Sequence, residues 1–376
     1  MKIQFNRISN FNKYNVSLSD TKANNNTDSR QISSPELPTQ GLSLANFPNV
    51  SFGMNAEMKF LLENTQKLRC AYSGKPMISP KDIKTIFKKL EKRPNAQSAI
   101  NLLVQYEEYM HDIEQRVFEM FKDTPHKGKL NFQDILLENK ADSLERLKLK
   151  QYEILTGVHG LIDSMSKPIA DRIRAIQSEA VANMELGTFS RKAVLSAVRG
   201  VKATGDDLDK VIKVYQQWYK LPKAGNNYDA FVVKYSRFSH DAIAKRLLST
   251  SVATIEHVQP SSRGGADDMS NFLLVSARFN NDRCSMPLDE YIMLNEDVDI
   301  PHNIQKYIED VIDEIGKKKS SFLCKSWYPE AIRKTLAKET SHKVDINLND
   351  LKLTKEQIKQ NNSAHRLSQK YPTSHK

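Results

Sequence analysis

The strongest constraint on the fold of this chain is a helical repeat of apolar side chains. They recur at alternating spacings of three and four residues, as Leu103, Tyr106, Met110, Ile113, Val117 and Met120. This spacing places them on one face of an α-helix, where they pack against a core. Glycines separate further stretches of the same kind, at 134–154, 169–184, 191–201 and 206–218. Short loops between such stretches are typical of a bundle, so residues 81–248 are predicted to form an α-helical domain.

The charge of the chain limits its partners. The 376 residues include 56 Lys and Arg against 45 Asp and Glu, a formal net charge of +11. Such a charge favours polyanionic partners, with nucleic acid first. No window approaches the ~18 to 20 apolar residues that a membrane-spanning helix requires, and residues 1–12 lack an apolar signal core. We therefore expect no membrane partner.

The cysteines indicate the compartment. The chain has three, Cys70, Cys284 and Cys324. An odd number spread along the chain implies no disulfide framework and fits a reducing environment. We expect a cytoplasmic protein.

Both ends of the chain are too polar to bury a core. Residues 1–54 contain nine Asn and few periodic apolar positions, and residues 341–376 hold seven Lys and Arg against three Asp and Glu. Ordering such segments costs more conformational entropy than their burial returns. They are predicted to be a disordered leader and a basic disordered tail.

The sequence pattern changes from helical spacing to β-prone runs at residues 249–283. A β-prone run, SVATIEHV, is followed by a polar Gly-Gly loop and then by NFLLVSARFNNDR, which predicts a second strand and the start of a helix. Glu256 and His257 close the first strand, and Asn271 follows His257 by 14 positions. Asn280 follows it by 23, and Arg283 lies one helical turn further on.

This spacing, with Pro260 and the loop of Gly264 and Gly265, resembles the HNH endonuclease family. Its fold is two antiparallel strands and a helix around one divalent metal. The resemblance implies a mainly α chain, a helical body with a small embedded ββα-metal nuclease unit in residues 249–340. In that family the residue at the Asn271 position braces the loop and orients the histidine through hydrogen bonds.

The residue types suit the cleavage of a phosphodiester. An imidazole, with an ordinary pKa near ~6.5, can take a proton from water, so His257 is predicted to be the general base. The adjacent Glu256 points to the opposite strand face and is better suited to hold metal. With the carbonyl oxygen of Asn280 it would give an open, oxygen-rich shell for Mg²⁺ or Mn²⁺. Arg283 is expected to clamp the phosphate or stabilise the transition state.

The sequence departs from the resembled family at two points. Glu256 stands where the family more often has Asp. Many members also carry a structural zinc on two Cys-x-x-Cys pairs, whose later positions are here Ser276 and Phe279.

Upstream, the segment at 70–77 looks like the first half of that zinc knuckle, with Cys70 kept and Ser73 in place of the second cysteine. We expect no structural zinc. Residues 55–80, a helix plus this degenerate knuckle, are predicted to pack on the nuclease core through apolar contacts, with a helical insertion between the two.

A basic stretch with aromatic residues, at 234–246, precedes the first strand. It could contact phosphate near the cut bond or form the solvated face of a helix. The expected nucleic-acid contacts are Arg237, Lys245 and Arg246, together with Arg263 beside the glycine loop. His240, in the same stretch, is expected to be structural.

These observations predict a metal-dependent HNH endonuclease that acts on DNA. The alternative is a catalytically inactive, HNH-derived scaffold that binds DNA or protein. A toxin or a phage-defence nuclease is a further option, and an immunity protein or a defence component would then be its partner.

Overall fold

A computed structural model describes residues 56–316 and 328–345 of the chain. The predicted leader at 1–54, most of the predicted tail and Cys324 lie outside these residues. Within the described ranges, no helix combines the length and apolar character needed to cross a membrane.

The described residues are mainly helical, which confirms the predicted class. Two short strands, β1 and β2, interrupt the run of helices. In chain order the elements are α1 Ala56–Glu63, α2 Pro80–Leu90, α3 Ala96–Leu103, α4 Asp112–Asp123, α5 Phe132–Glu138, α6 Lys140–Thr156, α7 His159–Asp163, α8 Lys167–Glu185, α9 Arg191–Arg199, α10 Asp206–Tyr219, α11 Tyr228–Tyr235, α12 His240–Ser249, β1 Ala253–His257, β2 Phe272–Ser276, α13 Ala277–Arg283, α14 Leu288–Leu294, α15 Ile300–Gly316 and α16 Tyr328–Glu339.

The chain divides into two compact units. Residues 140–230 form the first, here called the helical unit. The second, here called the strand unit, contains the described residues of 42–139 and 231–376. The helical unit covers part of the expected helical domain at 81–248, and α12 packs against α2, α4 and α5 within the strand unit.

The helical unit has its own core. Trp218 of α10 is fully buried, and its indole nitrogen donates a hydrogen bond to the carbonyl of Leu155 at 3.3 Å. Helices α8, α9 and α10 pack successively against one another. An indole with a polar partner contributes a large apolar surface without leaving its N–H unsatisfied.

The centre of the strand unit is an antiparallel hairpin. β1 and β2 pair with Glu256 opposite Leu273 and His257 opposite Phe272. Every residue of β2 is buried, and α13 begins at the residue after the strand ends. The hydroxyl of Tyr328, at the start of α16, donates to the carbonyl of Phe272 at 2.7 Å. Within β1, Ile255 and His257 are partly exposed, and the other three residues are buried.

The knuckle-like segment lies against β2. The amide of Ala71 donates to the carbonyl of Leu274 at 2.9 Å, and the sulfur of Cys70 accepts the amide of Ser276 at 3.3 Å. Gly74 closes the turn at φ +66°, with its amide bonded to the carbonyl of Cys70. A side chain at Gly74 would be strained by this φ.

A histidine that the sequence did not single out joins this segment to α13. His111 is buried, and its Nε2 lies 3.0 Å from the hydroxyl of Ser276. Phe279 meets the rings of His111 and Tyr72 edge-on, with centroids 5.6 and 6.3 Å apart. Hydrogen bonds and ring packing therefore connect Cys70 and Tyr72 with Ser276 and Phe279.

Replacing His111 with Gln should flatten the dependence of unfolding free energy on acid pH. Burial lowers the pKa of folded His111 to about 3, and Arg278 and Lys75 act in the same direction, whereas an unfolded histidine titrates near ~6.5. Between these values only the unfolded chain binds the proton. The wild type should lose up to ~1.4 kcal/mol per pH unit as the pH falls from about 6.5 towards 3.

Urea unfolding from neutral pH to about pH 5 measures this slope. The exposed His302→Gln should keep the wild-type slope. An equal slope in His111→Gln and the wild type would show that the buried imidazole does not govern it.

Candidate active site

His257 is the last residue of β1, at the open end of the hairpin. Its ring stands edge-on against Phe272, its partner in the register, with centroids 4.9 Å apart. Its Nε2 lies 3.2 Å from a carboxylate oxygen of Asp267, and 24% of the side chain is exposed. The strand thus presents an imidazole that is held on one side and open on the other.

Asp267 is a functional candidate that sequence reasoning missed. It lies in the loop between the strands, ten residues after His257, and about half of its side chain is exposed. The run Ala-Asp-Asp before Asn271 was the available signal. A carboxylate beside a histidine orients the imidazole by accepting a hydrogen bond from its ring N–H.

Asn271 closes the loop that follows His257. Its Oδ1 accepts the amide of Gln259, and its Nδ2 donates to the carbonyls of Gln259 and Ala266, all at 2.8 Å. Its own carbonyl accepts the amide of Val258. The side chain is buried and braces the loop backbone, so it acts on His257 by fixing the neighbouring residues.

Gly265 is required by the same closure. A Cβ at this position would lie 1.8 Å from the carbonyl oxygen of Gln259 and 2.8 Å from Nδ2 of Asn271. The preceding Gly264 has φ +81°. The two glycines therefore serve different needs, close backbone approach at Gly265 and a left-handed turn at Gly264.

Glu256 points away from His257 into the core and is 2% exposed. Its carboxylate forms an ion pair with Arg283, which is 1% exposed. Burial raises the pKa of Glu256 to about 7, while the guanidinium of Arg283 opposes this rise. The pair is a structural element inside the strand unit.

Arg283 also holds the backbone beside the histidine. Its Nη1 donates to the carbonyl of His257 at 2.7 Å and its Nη2 to the carbonyl of Val258 at 2.6 Å. One turn earlier on α13, Nδ2 of Asn280 donates to the carbonyl of Ile255 at 2.8 Å. The two side chains fasten α13 to β1 at alternate residues.

Two sequence expectations need correction here. Glu256 was expected to face a metal, and Arg283 was expected to reach the phosphate. The structure instead pairs them with each other, because both side chains point into the core. Asn280 differs, since its Oδ1 accepts no hydrogen bond from the described residues.

The expected phosphate contacts fall into different environments. Arg246 is buried with Glu114, 2.6 Å away, and with the hydroxyl of Tyr235, so the expectation of a phosphate contact is wrong for this residue. Lys245 pairs with Glu91 at 2.7 Å. Arg237 is exposed beside the ring of Phe238.

The remaining expected phosphate contact, Arg263, and the histidine expected to be structural, His240, also lie in the strand unit. Arg263 is half-buried, and its Nη1 is buried without a hydrogen bond to the described residues. His240 has a structural place, as expected. Its Nδ1 accepts the amide of Phe132 and its Nε2 bonds the carbonyl of Arg93, both at 3.0 Å.

The chain was compared with family models, curated proteins and solved structures, and none of them matches. Within the described residues, no group of three or more His, Cys, Asp or Glu is arranged to hold a metal ion.

Truncating Glu256 to Ala should destabilise the strand unit strongly, by roughly 3–5 kcal/mol, because it leaves the buried guanidinium of Arg283 without its counter-charge. The double variant Glu256→Ala, Arg283→Met should recover part of this loss. Urea unfolding gives both values.

The control is the exposed pair of Lys150 and Glu153, for which Glu153→Ala should cost less than about 1 kcal/mol. If Glu256→Ala costs no more than Glu153→Ala, the buried pair does not hold the site together.

Proposed function

We propose that this chain is an HNH-type endonuclease that hydrolyses DNA phosphodiester bonds, with His257 as the general base. The observation that carries the proposal is the placement of His257 at the open end of a hairpin. Hydrogen bonds from Asn271, Asn280 and Arg283 hold the loop after this residue, the helix that follows and the backbone beside the imidazole. The sequence resemblance and the basic charge support the same reading. General-base catalysis needs an imidazole that is fixed and accessible to water.

The proposed reaction is an in-line displacement at phosphorus. His257 takes one proton from water, the resulting hydroxide attacks phosphorus, and the bond to the 3′ oxygen breaks. The departing 3′ oxygen takes a proton from solvent. The products are a 5′-phosphate and a 3′-hydroxyl end, as the resemblance implies.

The resemblance implies a Mg²⁺ or Mn²⁺ ion. Of the two expected metal ligands, only one has an oxygen available for it. Asn280 offers an oxygen with no hydrogen bond to the described residues, which fits a hard cation. Glu256 does not fit, because its carboxylate is buried against Arg283. We therefore assign no step to the metal.

An inactive scaffold is the second candidate, and the pairing of Glu256 with Arg283 favours it. If that pair persists when DNA is bound, the expected metal lacks its carboxylate, and the unit could keep its shape without cutting. Cytoplasmic location and an immunity or defence partner stay predictions from the sequence.

Purified protein should nick supercoiled plasmid in Mg²⁺ or Mn²⁺ and stop in EDTA. His257→Ala should lower the rate by at least about 10²-fold, the smallest usual contribution of a general base. The exposed His302→Ala is the matched control and should nick at the wild-type rate. Circular dichroism checks that each variant is folded.

Equal nicking by His257→Ala and the wild type would overturn the proposed base. Nicking that EDTA leaves unchanged would remove the metal from the proposal. No nicking by the folded wild type with either cation would favour the scaffold.

A further inference from the structure

The helical unit carries a basic surface that the site in the strand unit does not use. Residues 186–205 and 210–228 contain four Lys or Arg each and no Asp or Glu. They include α9, most of α10 and the loop after it. Asp206, Asp207 and Asp209 lie between the two stretches, but cations outnumber carboxylates across the whole segment, which favours anionic partners.

The charges concentrate around one ring. The guanidinium of Arg191 lies 4.6 Å from the ring centroid of Tyr219, and the ammonium of Lys223 lies 5.6 Å from it. Lys192 and Lys220 are exposed and adjoin Arg191 and Tyr219 in sequence. We call these five residues the Tyr219 cluster.

Arg191 is held in place by the protein. Its Nη2 donates to the carbonyl of Tyr219 at 2.6 Å, and its guanidinium carbon lies within cation–π distance of the same residue's ring. Its Nε is buried and has no hydrogen bond to the described residues. A pre-oriented guanidinium loses little entropy when an anion binds beside it.

Several cations elsewhere in the same unit are paired with carboxylates. Lys167 lies 2.7 Å from Asp171 on α8, and Arg174 lies 2.7 Å from Asp163. Lys150 lies 3.2 Å from Glu153 on α6. These three pairs provide cations of the same unit against which the Tyr219 cluster can be compared.

We propose that the Tyr219 cluster binds the phosphate backbone of duplex DNA. Neighbouring phosphates match several cations on one surface, and the release of counterions drives such binding. Tyr219 is 7% exposed and Tyr215 is 4% exposed, so neither ring is open for base stacking, which single strands favour. The inference rests on the proposed function only in naming DNA as the polymer.

The test measures duplex binding by fluorescence anisotropy, with the full chain carrying His257→Ala so that the probe stays intact. Lys192, Lys220 and Lys223 are changed together to Gln, and Arg191 is kept because it bonds the backbone. The matched control changes Lys150, Lys167 and Arg174 to Gln, which removes the same charge.

The cluster variant should bind more weakly, and the slope of log K against log salt should become shallower by about 2 to 3, since each phosphate contact contributes ~0.9. The control should keep the slope. An unchanged slope in the cluster variant, an equal change in the control, or tighter binding of single-stranded DNA or of RNA than of duplex would overturn the proposal.

The proposal of duplex binding and the proposal of nuclease activity can fail independently. The cluster can bind duplex in a chain that never nicks plasmid, and a chain that nicks can lack this contact. The binding slope decides the first question and the plasmid assay the second.

Discussion

The candidate site depends on one buried guanidinium. Arg283 joins the end of α13 to the end of β1 by pairing with Glu256 and donating to the carbonyls of His257 and Val258. A buried cation is tolerated only with a counter-charge and hydrogen bonds, and Glu256 and the two carbonyls supply them. Because these bonds fix the backbone at His257, they also fix where its ring meets solvent.

Much of the architecture could be predicted because it follows local patterns. Apolar spacing predicted the helical body, but the stripe from Leu103 to Met120 is not one helix, because it runs from the end of α3 through a 3₁₀ segment at Val104–Tyr109 into α4. The β-prone runs predicted β1, β2 and the start of α13. The loop-bracing role expected for Asn271 agrees with its hydrogen bonds to Gln259 and Ala266.

The rest depended on partners distant in sequence. Glu114 lies 132 residues before Arg246, and composition cannot distinguish a buried ion pair from a phosphate contact. A local signal existed, since Arg246 lies three positions after Ile243 on the buried face of α12. His111 had no such signal, because its role depends on Ser276 of β2 and Phe279 of α13, which are distant in sequence.

The central claim is that His257, held through Arg283 and Asn271, removes a proton from water during phosphodiester cleavage. The most direct test is the pH dependence of the single-turnover nicking rate. For an imidazole base, the rate rises about tenfold per pH unit while the pH is below the pKa of the base, and it levels off at higher pH. A wild-type rate without that rise, or the same profile in His257→Ala, would contradict the account.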